Sequence, residues 1–310
     1  MKIDQALCRV VSALDKLSDW LIKLFLIAAI AFAVYSIWDA GQVYEAADSA
    51  RYVAYRPNAE DTDRFRQLRN MNPDVFAWLT VRGTQIDYPV VHTTDNSRYL
   101  NVNAEGNYAS SGAIFLDYRN TESFDDFNSI IYGHHMEKGR MFGQLSDFAD
   151  ESFFRSHSDG VLYYDGSYHD VAFFAFIQTD AYDRELFQPA VAGEEEREAY
   201  ISGILSCASV SRELPVTPED QLIVLTTCAS TVTNGRHMLF GKITGETPPG
   251  MEGNNIPVNR GKGLQFTDRT IKAVPLWVWA AVDLLLILLL TVLWAVLRRR
   301  RAAEKPSEGS

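Results

Sequence analysis

The sequence predicts a mostly β domain, closed as a barrel or stacked as a sandwich, held between two apolar segments. Three observations predict this. Short apolar runs of strand length recur from Ala77 to Ile243 with turn residues between them. Only one stretch among them, 193–210, reads as a long helix, with Glu194, Glu195 and Glu196 in its first turn to complement the helix dipole. The apolar segments lie one at each end, at 21–38 and 274–297, and a membrane span takes about 20 apolar residues.

Composition narrows the function classes. The 310 residues carry a net charge of −11, with 47% hydrophobic and 12% aromatic residues. That supply of core-forming side chains excludes a disordered chain, and 19 Gly with 11 Pro excludes a collagen-like one. The acidic balance gives no basic footprint for nucleic acid. Three cysteines are too few for a disulfide scaffold, although Cys207 and Cys228 could pair in an oxidising compartment.

From the N-terminus, residues 1–20 form a cytoplasmic tail and 21–38 an uncleaved anchor. A signal peptide has a similar basic flank (Lys2, Arg9, Lys16, Lys23). Its apolar region is usually shorter, however, and no small-x-small cleavage site follows within easy reach. Residues 39–71 are a helical lead-in, helical over 39–56 and amphipathic over 61–71 through Phe65 and Leu68. The domain at 72–246 holds strands at 77–81, 86–91, 113–116, 129–132, 160–164, 170–178, 222–227 and 237–243. Pro and Gly without periodicity mark 247–273 as a linker. The second span, 274–297, ends abruptly at Arg298–Arg301 and leaves a tail at 298–310. Basic residues at both outer flanks put both termini inside and 39–274 outside. Residues 1–38 and 275–310 sum to +1 and +2, which leaves −14 on the exposed segment.

Chemistry concentrates at strand ends. Thr226-Thr227-Cys228 closes an apolar strand, and a thiol at a strand end opens onto a cleft where a cationic neighbour can favour thiolate. If 222–228 and 236–243 form a hairpin, Arg236 returns beside Cys228 with a permanent charge and several donors for an oxyanion. His134 follows the apolar run SIIY and Gly133, also at a strand end. Cys, His and Arg together suit acyl transfer through a thioester. Each has a plainer reading: core cysteine, turn histidine, solvated arginine. Cys207 reads as a packed small hydrophobe on a helix. No Cys-x-x-Cys or His-Glu-x-x-His spacing calls for a metal, and no phosphate-cradling Gly loop or Gly-x-Ser-x-Gly elbow is present.

These residues carry a resemblance. IIYGHHM (130–136), GAIFLDYRN (112–120), LTTC (225–228) and Arg236 before HMLFGKI resemble the motifs of class B sortases, membrane-anchored transpeptidases of Gram-positive surfaces. The likeness runs from Phe65 to Ile243 and includes the helix inserted before the Cys strand. Val224 stands where the family's first Thr is expected, and Ala229-Ser230 follow the Cys where some relatives carry an acidic residue. A C-terminal anchor looks more like the pilin-polymerising sortases than most class B members.

The resemblance implies a closed eight-stranded β-barrel. It implies that Cys228 attacks the Thr carbonyl of a sorting signal on a secreted surface protein or pilin, with Thr227 in the substrate site. His134, rather than His135, would move protons, and Arg236 would hold the oxyanion or the substrate backbone. The acceptor would be an amine of the peptidoglycan cross-bridge or of a pilin lysine, and no cofactor is needed. Two other classes remain: a cysteine endopeptidase with water as acceptor, and a non-catalytic, doubly anchored scaffold.

Overall fold

Strands buried on both faces along residues 75–246 pair edge to edge until the sheet meets itself. The computed structural model describes residues 2–58, 63–180, 185–227, 235–246 and 291. Among the described residues, four α-helices, α1 (Lys2–Ala46), α2 (Asp63–Met71), α3 (Glu151–Ser156) and α4 (Glu194–Cys207), accompany nine strands. The strands are β1 (Val75–Val81), β2 (Asp87–Val91), β3 (Ile114–Leu116), β4 (Asn128–Gly133), β5 (Asp159–Tyr164), β6 (Ser167–Asp180), β7 (Val210–Ser211), β8 (Leu222–Thr227) and β9 (Gly235–Glu246).

The sheet runs β5-β1-β2-β3-β4-β8-β9-β6, and a β5–β6 pairing closes it into an eight-stranded barrel. The two-residue β7 adds only to the edge of β6, at Ala175 and Phe176. Pairing is parallel for β2 with β3 and β4 with β8, and antiparallel elsewhere. The period of two sorts the side chains into two cores. Ile131, Ile223, Leu225 and Leu239 enter the barrel interior with Leu79, Tyr88, Leu116 and Phe173. Ile130, Leu222, Val224, Met238 and Phe240 face outward and pack under Tyr200, Ile201 and Ile204 of α4. Strands buried on both faces read as continuous apolar runs, which is why LIVLTT was legible as a strand.

Helix α1 contains a stretch, Ser12–Ala46, long and apolar enough to cross a membrane, and none of its apolar window is buried. Phe25, Phe32 and Ile37 are each more than 70% exposed. Two compact units divide the chain within α1, and the barrel belongs to the one that spans Gln42–Asn259. The expected linker and second span, 247–273 and 274–297, lie outside the described residues apart from Thr291. The helix expected over 39–56 does not run through. It stops at Ala46, and two single 3-10 turns follow, Ser49–Arg51 and Val53–Tyr55. The cause is local: the Asp48 carboxylate accepts the Ala50 N–H at 3.0 Å and caps the tighter turn. Asp150 caps α3 in the same way through the Phe153 N–H, a short helix that apolar periodicity alone did not mark.

Gly112, which opens the segment leading into β3, passes under the backbone of 99–100. Its φ is +61°, and a Cβ there would stand 2.3 Å from the Tyr99 carbonyl and 2.8 Å from that of Leu100. Both the dihedral and the space demand glycine. Gly112→Ala is expected to destabilise the full-length chain by at least about 1–2 kcal/mol, the usual cost of a left-handed L-residue. Thermal unfolding in detergent followed by near-UV circular dichroism measures it, and an unchanged transition would show that the 99–100 turn yields.

Candidate active site

His134, Thr227 and Arg236 lie at the rim of the barrel where β4 and β8 end. The two strands run parallel, and Gly133 is level with Thr227. Their sequence continuations are His134 and Cys228. Strand β9 enters the same rim antiparallel to β8, with Thr226 opposite Met238, so Arg236 and His237 lie at its start. Cys228 and the turn that follows it, up to Asn234, lie outside the described residues.

Alternation separates these side chains by face. Met238 and Phe240 face outward and Leu239 inward, so Arg236 falls on the outer face and His237 on the inner. The guanidinium Nη1 of Arg236 donates to the Thr227 carbonyl, which ties the arginine to the residue before Cys228. Its Nε is buried and has no hydrogen-bond partner among the described residues. Thr226 Oγ1, two residues before Cys228 and on the outer face, is in the same condition. Thr227 is itself buried, at 2% exposure, and its hydroxyl accepts the His237 N–H at 3.2 Å.

His134 is half-buried. Its Nε2 lies 2.8 Å from the Leu100 carbonyl oxygen. A carbonyl can only accept, so Nε2 holds a proton and donates it, and in the neutral ring Nδ1 is the unprotonated nitrogen. The His134 carbonyl accepts the Phe142 N–H at 2.9 Å, which folds residues 134–142 back on themselves. The neighbouring His135 points away: it is exposed, bridges to Met141 and sets its ring 5.8 Å from that of His237. The inner-face His237 also tilts against Phe176 at 5.9 Å.

A polar cluster that the sequence reading left unassigned stands beside this rim. Asp117, just past β3, is fully buried and receives both Nε and Nη2 of Arg119 at 2.8 Å. Tyr132 of β4 donates its hydroxyl to the same carboxylate at 3.0 Å, and Asn96 its amide at 3.1 Å. Burial opposes the charge on Asp117, but the Arg119 and Asn96 hydrogen bonds prevail and hold its pKa below the ordinary carboxylate value. Asp-x-Arg at a strand end was the signal available in the sequence. The Leu100 carbonyl offered none, because a backbone acceptor has no side-chain identity.

Cys207 departs from expectation. It lies on α4, but it is a free, exposed thiol rather than a packed one. Tyr200, Ile201 and Ile204 supply the buried stripe of α4, and Ala208 takes the packing position beyond it, so the last helical residue is left in solvent.

Comparison with known proteins follows the same residues. The Sortase domain family model matches residues 79–244. Sortase B of Listeria monocytogenes is 34% identical over 190 residues, 60% of this chain and 76% of the relative. The sortase B of a type II pilus of Streptococcus pneumoniae is 44% identical with a TM-score of 0.50, over 57% of this chain and 97% of that structure. A class B sortase of Streptococcus pyogenes involved in pilus biogenesis is 40% identical with a TM-score of 0.55, over 58% and 97% respectively.

The inner-face histidine makes stability respond to pH. Burial first, and then the nearby His135, lower the His237 pKa from 6.5. The folded chain therefore resists a proton that the unfolded chain accepts near pH 6.5, and His237 removes stability as pH falls below that value. His237→Gln is expected to flatten part of the loss between pH 7 and pH 5. Urea titrations at the two pH values read it, and an identical pH dependence in the variant would discard this source.

Proposed function

The chain belongs to the sortase family, as a cysteine transpeptidase of class B, and we propose that Cys228, His134 and Arg236 carry its chemistry. The supporting observation is the register of the rim. Parallel β4 and β8 end with Gly133 level with Thr227, and Arg236 reaches back from β9 to the Thr227 carbonyl. In this reading Cys228 continues the alternation of β8, so its thiol shares the outer face with Arg236 and with His134, the residue that continues β4.

The proposed steps conserve atoms and charge. The Cys228 thiolate attacks the Thr carbonyl carbon of a sorting signal, and a C–S bond forms. Negative charge builds on the carbonyl oxygen, and Arg236 donates to it with N–H groups that Thr227 does not occupy; its Nε has no partner among the described residues. The peptide C–N bond breaks, and the leaving amine takes a proton from the His134 imidazolium. An acceptor amine then attacks the thioester and gives its proton to His134, and the thiolate leaves. With Nε2–H committed to Leu100, Nδ1 is the atom that moves the proton. Thr227, buried as it is, serves the substrate site indirectly by holding Arg236 and the start of β9.

For the acceptor we take the pilin lysine over the cross-bridge amine. The solved pilus sortases are 44% and 40% identical to this chain, the Listeria sortase B 34%. We place the enzyme in the cell membrane through the apolar part of α1 and the apolar segment 274–297, with 39–274 outside and both tails inside, on the charge asymmetry of the flanks.

Mass spectrometry of products from a sorting-peptide library, with and without added amines, tests the activity. Amide products that need the amine are expected from the intact chain, none from Cys228→Ala, and near-normal yield from Cys207→Ala. Hydrolysis alone, unaffected by amines, would make the chain an endopeptidase, and no cleavage at all would favour the scaffold. The histidine assignment has its own readout in turnover. His134→Ala is expected to lose on the order of 10²–10⁴ in rate, the usual share of general acid–base catalysis. His135→Ala should retain most of it. The larger loss in His135→Ala, at equal thermal stability, would reverse the assignment.

A further inference from the structure

The loop that leaves His134 is held in an unfavourable backbone conformation, and the end of α1 is what holds it. Residues 134–143 contain two bulky residues with left-handed backbone, Lys138 at φ 59° and Met141 at φ 52°. Such residues persist only where the surroundings over-determine them. The loop is also close-packed: a Cβ on Gly143 would stand 2.0 Å from the Met136 carbonyl.

Both strained residues are gripped from the same place. Lys138 Nζ sits 4.6 Å above the ring of Tyr44, whose hydroxyl donates to the neighbouring Glu137 at 3.0 Å. The Met141 N–H donates to the Tyr88 hydroxyl at 2.9 Å, and that hydroxyl donates to the Ala47 carbonyl at 2.8 Å. Between them, Arg140 pairs with Asp48 at 2.6 Å. Tyr44, Ala47 and Asp48 thus meet residues 137, 138, 140 and 141, and Ala47 and Tyr88 are fully buried in the process. The next residue, Phe142, closes the loop by donating to the His134 carbonyl.

We propose that the end of α1, through Asp48 and Tyr44, positions His134 for catalysis by fixing this loop, with Arg140 as its principal contact. The inference rests on the reading of His134 as the acid–base. These residues touch no reacting atom. Their part is to keep the ring at the Leu100 carbonyl and Nδ1 toward the substrate, where a displacement of about 1 Å can cost a hundredfold in rate.

The test uses the full-length chain in detergent, a fluorogenic sorting peptide and a saturating amine. Asp48→Asn keeps a side-chain oxygen for the Ala50 N–H but removes the charge, and Arg140→Gln removes the other half of the pair. Each is expected to lower kcat about ten- to a hundredfold, with KM for the peptide within about twofold and melting temperature little changed. Arg140→Lys should recover most of the loss. Wild-type kcat in Asp48→Asn and Arg140→Gln, beside an inactive His134→Ala, would overturn the positioning role and leave the catalytic assignment standing. A kcat that falls only in step with the folded fraction by circular dichroism would overturn it too. An active His134→Ala would instead bring down the reading beneath it.

Discussion

The parallel pairing of β4 with β8 is the constraint on which the rest depends. A parallel pair cannot be joined by a tight turn, so the chain between the two strands must cross over, and here that crossover carries β5, β6, β7 and α4. Because the central strands are buried on both faces, their register is not free. A slip of β8 by one residue would exchange Ile223 and Leu225 with Leu222 and Val224, moving each set into the wrong core. The same slip would turn Thr227 from the inner face to the outer. The hydrophobic sorting that stabilises the barrel thus also fixes which side chain its rim presents.

Polar groups at the rim divide into those that are satisfied and those that are not. Asp117 carries its charge in full burial because two guanidinium N–H groups, a tyrosine hydroxyl and an amide converge on it. Arg236 Nε and Thr226 Oγ1, on the same outer face, have no such partners among the described residues. Buried polar atoms left in this state cost stability in a resting fold, which gives these two a reason to be found at a site rather than in a core.

Much of this was legible in the sequence, for a physical reason. Strands of 222–227, 237–243 and 129–132 are apolar on both faces, so composition marks them without any knowledge of their partners. His134, Arg236 and the thiol sit where those runs stop. What stayed hidden is held by long-range contacts. The left-handed Lys138 and Met141 have no residue preference that announces them, since neither is Gly, Asn or Asp. The carbonyls of Leu100 and Ala47 act through backbone atoms. The exposure of Cys207 turned on where α4 ends against Ala208, a boundary that amphipathic spacing fixes only to within a residue or two. The extra length of β6, Ser167–Asp180 against the expected 170–178, comes from its pairing with both β5 and β9 along different parts.

The rim also explains why an arginine holds this place. A helix N-terminus offers converging N–H groups to an oxyanion, but a strand end sends its amides sideways into the ladder, where Thr226 and Met238 use them. Strand amides engaged in the ladder are therefore not free for a developing charge. In the role proposed for Arg236 a side chain supplies the donors, and it must keep its direction. The fork of Arg236 meets both demands: one nitrogen is fixed on the Thr227 carbonyl, and the planar group then holds the remaining donors at set angles. A lysine ammonium that made the same bond to Thr227 would rotate about it and aim its other protons nowhere in particular. Geometry, rather than charge alone, is what the start of β9 contributes.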